Sequence, residues 1–502
     1  MTFTHRLRSI RDWSHTRDGQ RWLIAIVFVV LVGWYMGFAA ERYNTSHFYG
    51  DEPEYYFNGV SIYEDGDLDL RNQFLAPDRR AFPGPLTFRA DPNVDVPAPA
   101  NFIPTTGVLF TGPANAVGGV LGVLILYALM NVASLALMLL VIRRITGPNA
   151  ALAAVAITGL TVPLAWHAAS IWTEVPALLA VSAVLALLPK MREWWGALAA
   201  GLLLALLPWL HQKYVFLAIG LAVAVVLHRE RRRWWPIIIG VPILGFIGTA
   251  LLSLGMRGRW NFTVSSATGD IAGTFDPRWS RNLAQPFAWF FDQTRGYLPY
   301  APVWIVAGVG LVVLFRSGAG RRILGFVAVA FIPFLAVYMA GPFLAGDAPP
   351  GRETLSVLPL VMILLACGLQ YLRGALAWTV TGAAAALSLF IGMVVPYRYG
   401  MDIFFNNVGQ PKLLNQLSSP RWNWAEPWPR ITTDSTMWSG SHLLMMVLLV
   451  GFAVATLYLS SRLVALRREQ VPWEPPAGTS AGIPCVTLRT PSPPTDPSHP
   501  KL

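Results

Sequence analysis

The chain has 502 residues, of which 54% are hydrophobic and only 13% charged. Soluble domains carry about 25% charged residues, so this composition excludes an ordinary soluble domain and fits a polytopic membrane protein. The net charge of +11 invites a nucleic-acid reading, but the basic residues gather at one end of successive apolar segments, which is a topology signal instead.

Residues 1–21 are polar and basic, with Arg6, Arg8, Arg11, Arg17 and Arg21. The apolar run from Trp22 to Ala40 is too long for a cleaved signal peptide and lacks a small-residue cleavage site. A bilayer core takes roughly 20 apolar residues per helix. On that measure spans are expected near 22–40, 119–142, 150–165, 174–189, 195–210, 213–228, 236–255, 301–315, 323–341, 354–371, 375–395 and 441–460. The predicted class is therefore all-α, with about twelve transmembrane helices over 22–460. The stretch 105–118 is apolar but broken by Gly112-Pro113, which suits an interfacial or re-entrant segment. Residues 461–502 form a Pro-rich tail with little to bury, predicted to be disordered. Cys367 and Cys485 lie in an apolar segment and in that tail, which gives neither a disulfide framework nor a thiolate metal site.

Orientation follows from the basic loops. Arg143-Arg144, Lys190, Arg192, Arg229, Arg231–Arg233, Arg316, Arg321-Arg322, Arg373, Arg462 and Arg467-Arg468 fall on the side of the N-terminus. Short basic loops stay cytoplasmic, so both termini are expected in the cytoplasm of a multi-pass plasma-membrane protein. Trp194-Trp195 and Trp234-Trp235 sit at that edge as an aromatic belt. Three loops on the opposite, extracytoplasmic side are long: 41–118, 256–300 and 396–440. Long loops of this kind build sites, and these carry aromatics such as Trp260, Trp279, Trp422, Trp424 and Trp428, suited to sugar stacking or to a second belt.

The first of these loops opens on Tyr49-Gly50-Asp51-Glu52-Pro53-Glu54-Tyr55-Tyr56, with three carboxylates where the chain leaves the bilayer. Two readings of Asp51 stand side by side. It is the N-cap of a short helix, with Pro53 in the first turn and Glu54 closing a capping box. Or it is a carboxylate base within reach of an acceptor hydroxyl. Glu174, at the outer start of a span, is either a first-turn acid favoured by the helix dipole or a site residue. His167 and His211 lack the spacing of a zinc site and read as interfacial polar residues.

The first loop resembles the GT-C glycosyltransferases, whose first outer loop starts with an Asp-Glu pair just after the first transmembrane helix. That superfamily includes the protein O-mannosyltransferases, the aminoarabinose transferase of lipid A, and actinobacterial arabinosyl- and mannosyltransferases. Four further stretches are similar to segments of its bacterial members: Trp172-Thr173-Glu174-Val175-Pro176, Pro208-Trp209-Leu210-His211-Gln212-Lys213-Tyr214, Gly296-Tyr297-Leu298-Pro299-Tyr300-Ala301-Pro302, and Gly346-Asp347-Ala348-Pro349-Pro350-Gly351-Arg352. The likeness spans most of residues 20–400; loop 396–440 resembles nothing in the family.

The resemblance implies a GT-C-type bundle and an inverting transfer of a sugar from a polyprenyl-phosphate donor to a hydroxyl of an extracytoplasmic glycan, lipid or protein. It places the catalytic pair at Asp51 and Glu52, with Asp51 as base and Glu52 orienting the acceptor or helping to hold a divalent metal (Mg, Mn or Ca). Glu54 and Glu174 are further candidates for contact with substrate or metal. A leaving phosphate needs positive charge where it sits, and the outer cations His211, Lys213, Arg295 and Arg352 are the candidates. Each has a plainer reading: Lys213 snorkels to headgroups, Arg352 pairs with Asp347 or Glu353, and Arg295 pairs with Asp292. Two other functions stay open. A lipid-linked sugar flippase or transporter would carry ionisable residues inside its spans, and a surface-polysaccharide polymerase or ligase would differ mainly in acceptor.

Overall fold

A computed structural model describes residues 16–45, 48, 51–67, 70, 72–73, 106–211, 213–228, 233–257, 286–340, 349–399, 411–429 and 440–467. The N-terminal arginines before residue 16, Trp260 and Trp279, Asp347 and the tail beyond 467 lie outside these residues. So do most of the second long loop, 256–300, and parts of the first and third.

Among the described residues every regular element is helical, and each expected apolar segment forms a helix. Seven helices are long and apolar enough to cross a membrane: Arg17–Thr45, Gly107–Ile142, Trp235–Leu252, Gly318–Ala336, Arg352–Tyr371, Ala375–Arg398 and Leu443–Ala465. The chain is thus an α-helical polytopic membrane protein. The other five apolar helices are shorter: Pro148–Leu160, Glu174–Leu187, Trp194–Leu210, Tyr214–Val226 and Pro302–Arg316. At 1.5 Å of rise per residue, a helix of 13 residues such as Pro148–Leu160 reaches only about 20 Å, less than the roughly 30 Å hydrocarbon core. Segment 150–165 falls short because its last residues leave the α-helix and re-form as the 3-10 turn Leu164–His167.

We number the helices that position the site: α1 (Arg17–Thr45), α2 (Glu52–Val60), α3 (Gly112–Ile142), α4 (Pro148–Leu160), α5 (Glu174–Leu187), α6 (Trp194–Leu210), α7 (Tyr214–Val226), α8 (Trp235–Arg257), α9 (Ile305–Arg316), α10 (Gly318–Ala340) and α11 (Leu358–Tyr371). Helix α11 and the turn before it form the centre: within Arg352–Tyr371, 78% of an apolar 18-residue stretch is buried, against 11% within Trp235–Leu252 and 17% within Leu443–Ala465. The last two expose their apolar faces, as helices at a lipid boundary do. Helix α9 packs along α11, α7 along α10, α6 along α8, and α3 between α1 and α5. Small residues permit the central contact. A Cβ on Gly310 would stand 1.8 Å from the Leu364 carbonyl oxygen, and one on Gly368 2.1 Å from that of Val306, so only glycine lets these backbones touch.

Helix α3 is not continuous. Gly118 (φ −142°, ψ 17°) and Gly119 (φ 58°, ψ −153°) leave helical geometry. The break therefore falls at these two glycines and not at Gly112-Pro113, where the proline sits in the first turn of α3 and removes no needed N–H. A π-helical turn, Gly107–Thr111, precedes that piece. Helix α2 lies against it: Thr111 Oγ1 donates to the Tyr55 carbonyl (3.1 Å), and Tyr56 donates to Asn115 Oδ1 (2.6 Å). The start of the first loop is thus a folded helix pinned to α3.

The Trp194, Trp195 and Trp235 side chains are exposed. Lys190 stands 5.9 Å from the Trp195 ring, Arg233 stands 4.7 Å from that of Trp234, and Trp234 Nε1 donates to the Arg192 carbonyl. The expected belt and its basic residues therefore share one end of α6 and α8.

Candidate active site

The first loop turns back on the end of α1. Glu52 is fully buried and receives both arms of the Arg42 guanidinium, Nη1 to Oε1 at 2.9 Å and Nη2 to Oε2 at 2.6 Å. The Ile171 N–H donates to the same Oε1 at 2.8 Å, and Arg42 Nη1 also donates to the Ala169 carbonyl at 3.0 Å. This two-pronged pair ties α1, α2 and the segment before α5 into one unit. Sequence reasoning passed over Arg42. A signal was there: an arginine at the end of the first span opposite its basic N-terminal flank needs a partner.

Asp51 sits at the N-cap position of α2 but makes no side-chain cap hydrogen bond, so the capping-box reading does not hold. Its carboxylate instead reaches Arg352, 301 residues away, with Nη2 donating to Oδ2 at 2.8 Å. Arg352 Nε donates to Glu174 Oε1 at 3.2 Å, and Lys213 Nζ donates to the same oxygen at 2.6 Å. The Arg352 guanidinium lies over the Trp172 ring, 3.4 Å from its centre, where the ring face favours a cation. The result is one row of alternating charge: Asp51, Arg352, Glu174, Lys213. Asp51 is the open member, at 41% exposed; Arg352 is 14% exposed, Glu174 fully buried and Lys213 8% exposed.

These contacts replace several simpler pairings. Lys213 is buried against Glu174 and the Tyr214 ring, which is not the snorkelling arrangement. Arg352 pairs with Asp51 and Glu174 and not with Glu353, which lies 3.6 Å from Arg295. Asp292 Oδ1 accepts the N–H groups of Thr294 and Arg295, both at 2.8 Å, and so shapes the turn that carries Arg295. The Arg295 carbonyl in turn accepts the Gly351 N–H at 2.8 Å. Gly351 has φ +77°, and a Cβ there would meet Pro163 Cβ at 2.6 Å. Position and backbone sign both require glycine immediately before Arg352.

His211 joins through Nδ1, which accepts the Lys213 N–H at 3.2 Å. Burial and the Lys213 charge push its pKa down to about 3; it is a neutral hydrogen-bonding group at pH 7 and contributes no charge to the row. His167 is neutral too: burial lowers it to about 4, and its Nδ1 donates to the Pro163 carbonyl at 2.8 Å. Glu54, half-buried in the first turn of α2, is pushed up to about 8 by burial and the nearby Asp51 carboxylate, so it is largely protonated at pH 7.

The residues do not fit a divalent ion as they stand. Among the described residues no group of three or more His, Cys, Asp and Glu comes together. The carboxylates that do converge already accept from Arg42, Ile171, Arg352 and Lys213, and a hard cation needs six or more oxygen ligands.

Five sequence stretches thus meet: 51–54, 172–174, 211–214, 292–296 and 351–353. They set one half-exposed carboxylate beside the half-buried Arg352 and the buried Lys213, an arrangement able to accept a proton and to hold an oxyanion. Comparison with protein-family models, curated proteins and solved structures gives no match to this chain.

Proposed function

We propose that this protein is an inverting GT-C glycosyltransferase with twelve spans, both termini cytoplasmic and the row Asp51–Arg352–Glu174–Lys213 on the extracytoplasmic face of the plasma membrane. The donor is a polyprenyl-phosphate sugar, such as arabinose or mannose, and the acceptor is a hydroxyl of a cell-envelope glycan, lipid or protein. One observation carries the reading: the motif residues, scattered over three hundred positions, converge as a half-exposed carboxylate on a chain of two cations bridged by Glu174.

Asp51 accepts the proton of the acceptor hydroxyl as its oxygen attacks the anomeric carbon. The new C–O bond forms on the face opposite the phosphate, and the old C–O bond breaks with its electron pair leaving on the phosphate. Arg352, with the planar fork suited to phosphate, and Lys213 stabilise that charge; Arg295 sits on the neighbouring turn 292–296, whose Arg295 carbonyl holds the Gly351 N–H. Glu174 is a positioning residue, since a single oxygen orients both cations. The proton leaves Asp51 to solvent, which its exposure permits.

The test is transfer from radiolabelled decaprenyl-phosphate arabinose or mannose into envelope acceptors, with wild type and Asp51→Asn purified in detergent. Asp51→Asn is expected to melt as wild type does and to lose at least about a hundredfold in rate, the usual contribution of a positioned base. Undiminished transfer excludes Asp51 as base. Counterflow of a labelled lipid-linked sugar in proteoliposomes, with no transfer, would favour the transporter reading.

A further inference from the structure

The base and the phosphate-binding cation of this site are bonded to each other. Asp51 Oδ2 takes the Nη2 edge of Arg352 at 2.8 Å, while Nε is committed to Glu174 at 3.2 Å. Trp172 covers the flat face of the guanidinium at 3.4 Å. The Nη edge on which Asp51 sits is therefore the edge left for a ligand. Asp51 is 41% exposed and its partner 14%, so this end of the row is open, whereas the Glu174–Lys213 end is closed. An anionic oxygen arriving from outside meets Asp51 first, already holding the donors that a phosphate would use.

From this geometry we infer that the Asp51 carboxylate stands in for the donor's phosphate on Arg352, so that donor binding and release of Asp51 are one event. The inference rests on the proposed function and deepens it: it sets the order of substrates. A polyprenyl-phosphate oxygen displaces Asp51 Oδ2 from the Nη edge, and Glu174 keeps Arg352 in place through Nε during the exchange. Only then is Oδ2 free to accept a hydroxyl proton. The donor binds before the acceptor is activated, and an enzyme without donor does not present a free base to water.

The consequence is a gain where a catalytic residue is removed. Asp51→Asn keeps the shape, loses the competing charge, and is expected to bind decaprenyl monophosphate about tenfold more tightly than wild type. That factor corresponds to roughly 1.4 kcal/mol, the lower end for a hydrogen bond between charged groups. Titration calorimetry in detergent micelles reads it directly, without turnover. The gain must vanish when Arg352 is absent, so the same substitution is repeated on Arg352→Gln, with Arg352→Met as a second background if the first fails to fold. A coupling that disappears there identifies Arg352 as the contested group. Equal or weaker binding by Asp51→Asn overturns the inference while leaving the glycosyltransferase reading intact. A gain that persists without Arg352 also overturns it, because simple charge repulsion then suffices. No binding by any variant, with wild type also silent, sinks the phosphate site itself and with it both conclusions.

Discussion

Replacing Glu52 separates architecture from chemistry at this site. Glu52→Ala leaves Arg42 buried, with its side chain 2% exposed, and without the carboxylate that held both its arms. Removing one partner of a buried pair costs about 3–5 kcal/mol, because the remaining charge is uncompensated. The Ile171 N–H loses its acceptor as well, at about 1–3 kcal/mol for a buried donor. These costs overlap, so the expected loss is about 4 kcal/mol, a large part of a domain's usual stability. The assay is unfolding of the purified protein by sodium dodecyl sulfate in mixed micelles, followed by protease susceptibility. The companion variant Arg42→Met/Glu52→Leu removes both charges, and buried pairs replaced by apolar residues of similar size are often neutral. It is expected to be more stable than Glu52→Ala, though below wild type, because the Ala169 carbonyl and the Ile171 N–H stay unpaired. Wild-type stability in Glu52→Ala, or a double variant worse than either single change, would refute the reasoning.

The other predictions concern the turn and the pH response. Gly351→Ala puts a Cβ 2.6 Å from Pro163 Cβ at φ +77°; left-handed geometry costs about 1–2 kcal/mol and the overlap about 1–3 more, so both stability and donor binding should fall. Gly66→Ala, at φ +75° but with open space around it, should show only the smaller cost, and equal effects of the two changes in thermal melts would contradict this account. For Glu54 the folded pKa, about 8, lies above its ordinary value of 4.5. The folded state therefore binds more protons between those values, and stability declines as pH rises from about 4.5 to 8. Glu54→Gln should remove that part of the decline, which melts at pH 5 and pH 8.5 will read. His167 acts in the opposite sense. Its folded pKa, about 4, lies below 6.5, so stability is present above 6.5 and is lost as pH falls toward 4; His167→Gln should flatten the acid limb.

Much of the architecture was legible in the sequence. Apolar runs of the right length gave helices at each expected place, because a chain in hydrocarbon satisfies its backbone only by helix or closed barrel. The order of the motif stretches placed Asp51, Glu174, Lys213, Arg295 and Arg352 at helix ends and turns, where charges can be tolerated. Local composition is enough for such statements, since desolvation acts on each residue by itself.

Which charge meets which was not legible. Glu52 and Asp51 are neighbours with the same side-chain chemistry, yet one is locked between Arg42 and the Ile171 N–H and the other stands half-exposed against Arg352. Glu174 and Arg352 each had a nearer partner or a plainer role in the sequence. Pairing depends on distances fixed by helix packing: by the glycines that bring α9 onto α11, and by the contacts of Tyr55 and Tyr56 that pin α2 to Thr111 and Asn115. The sequence by itself determined that this chain crosses a membrane and where its charges gather. Only the tertiary structure decided which of them are neutralised inside and which one faces outward, because Coulomb energy depends on separation in space and on burial, and neither is a property of the linear chain.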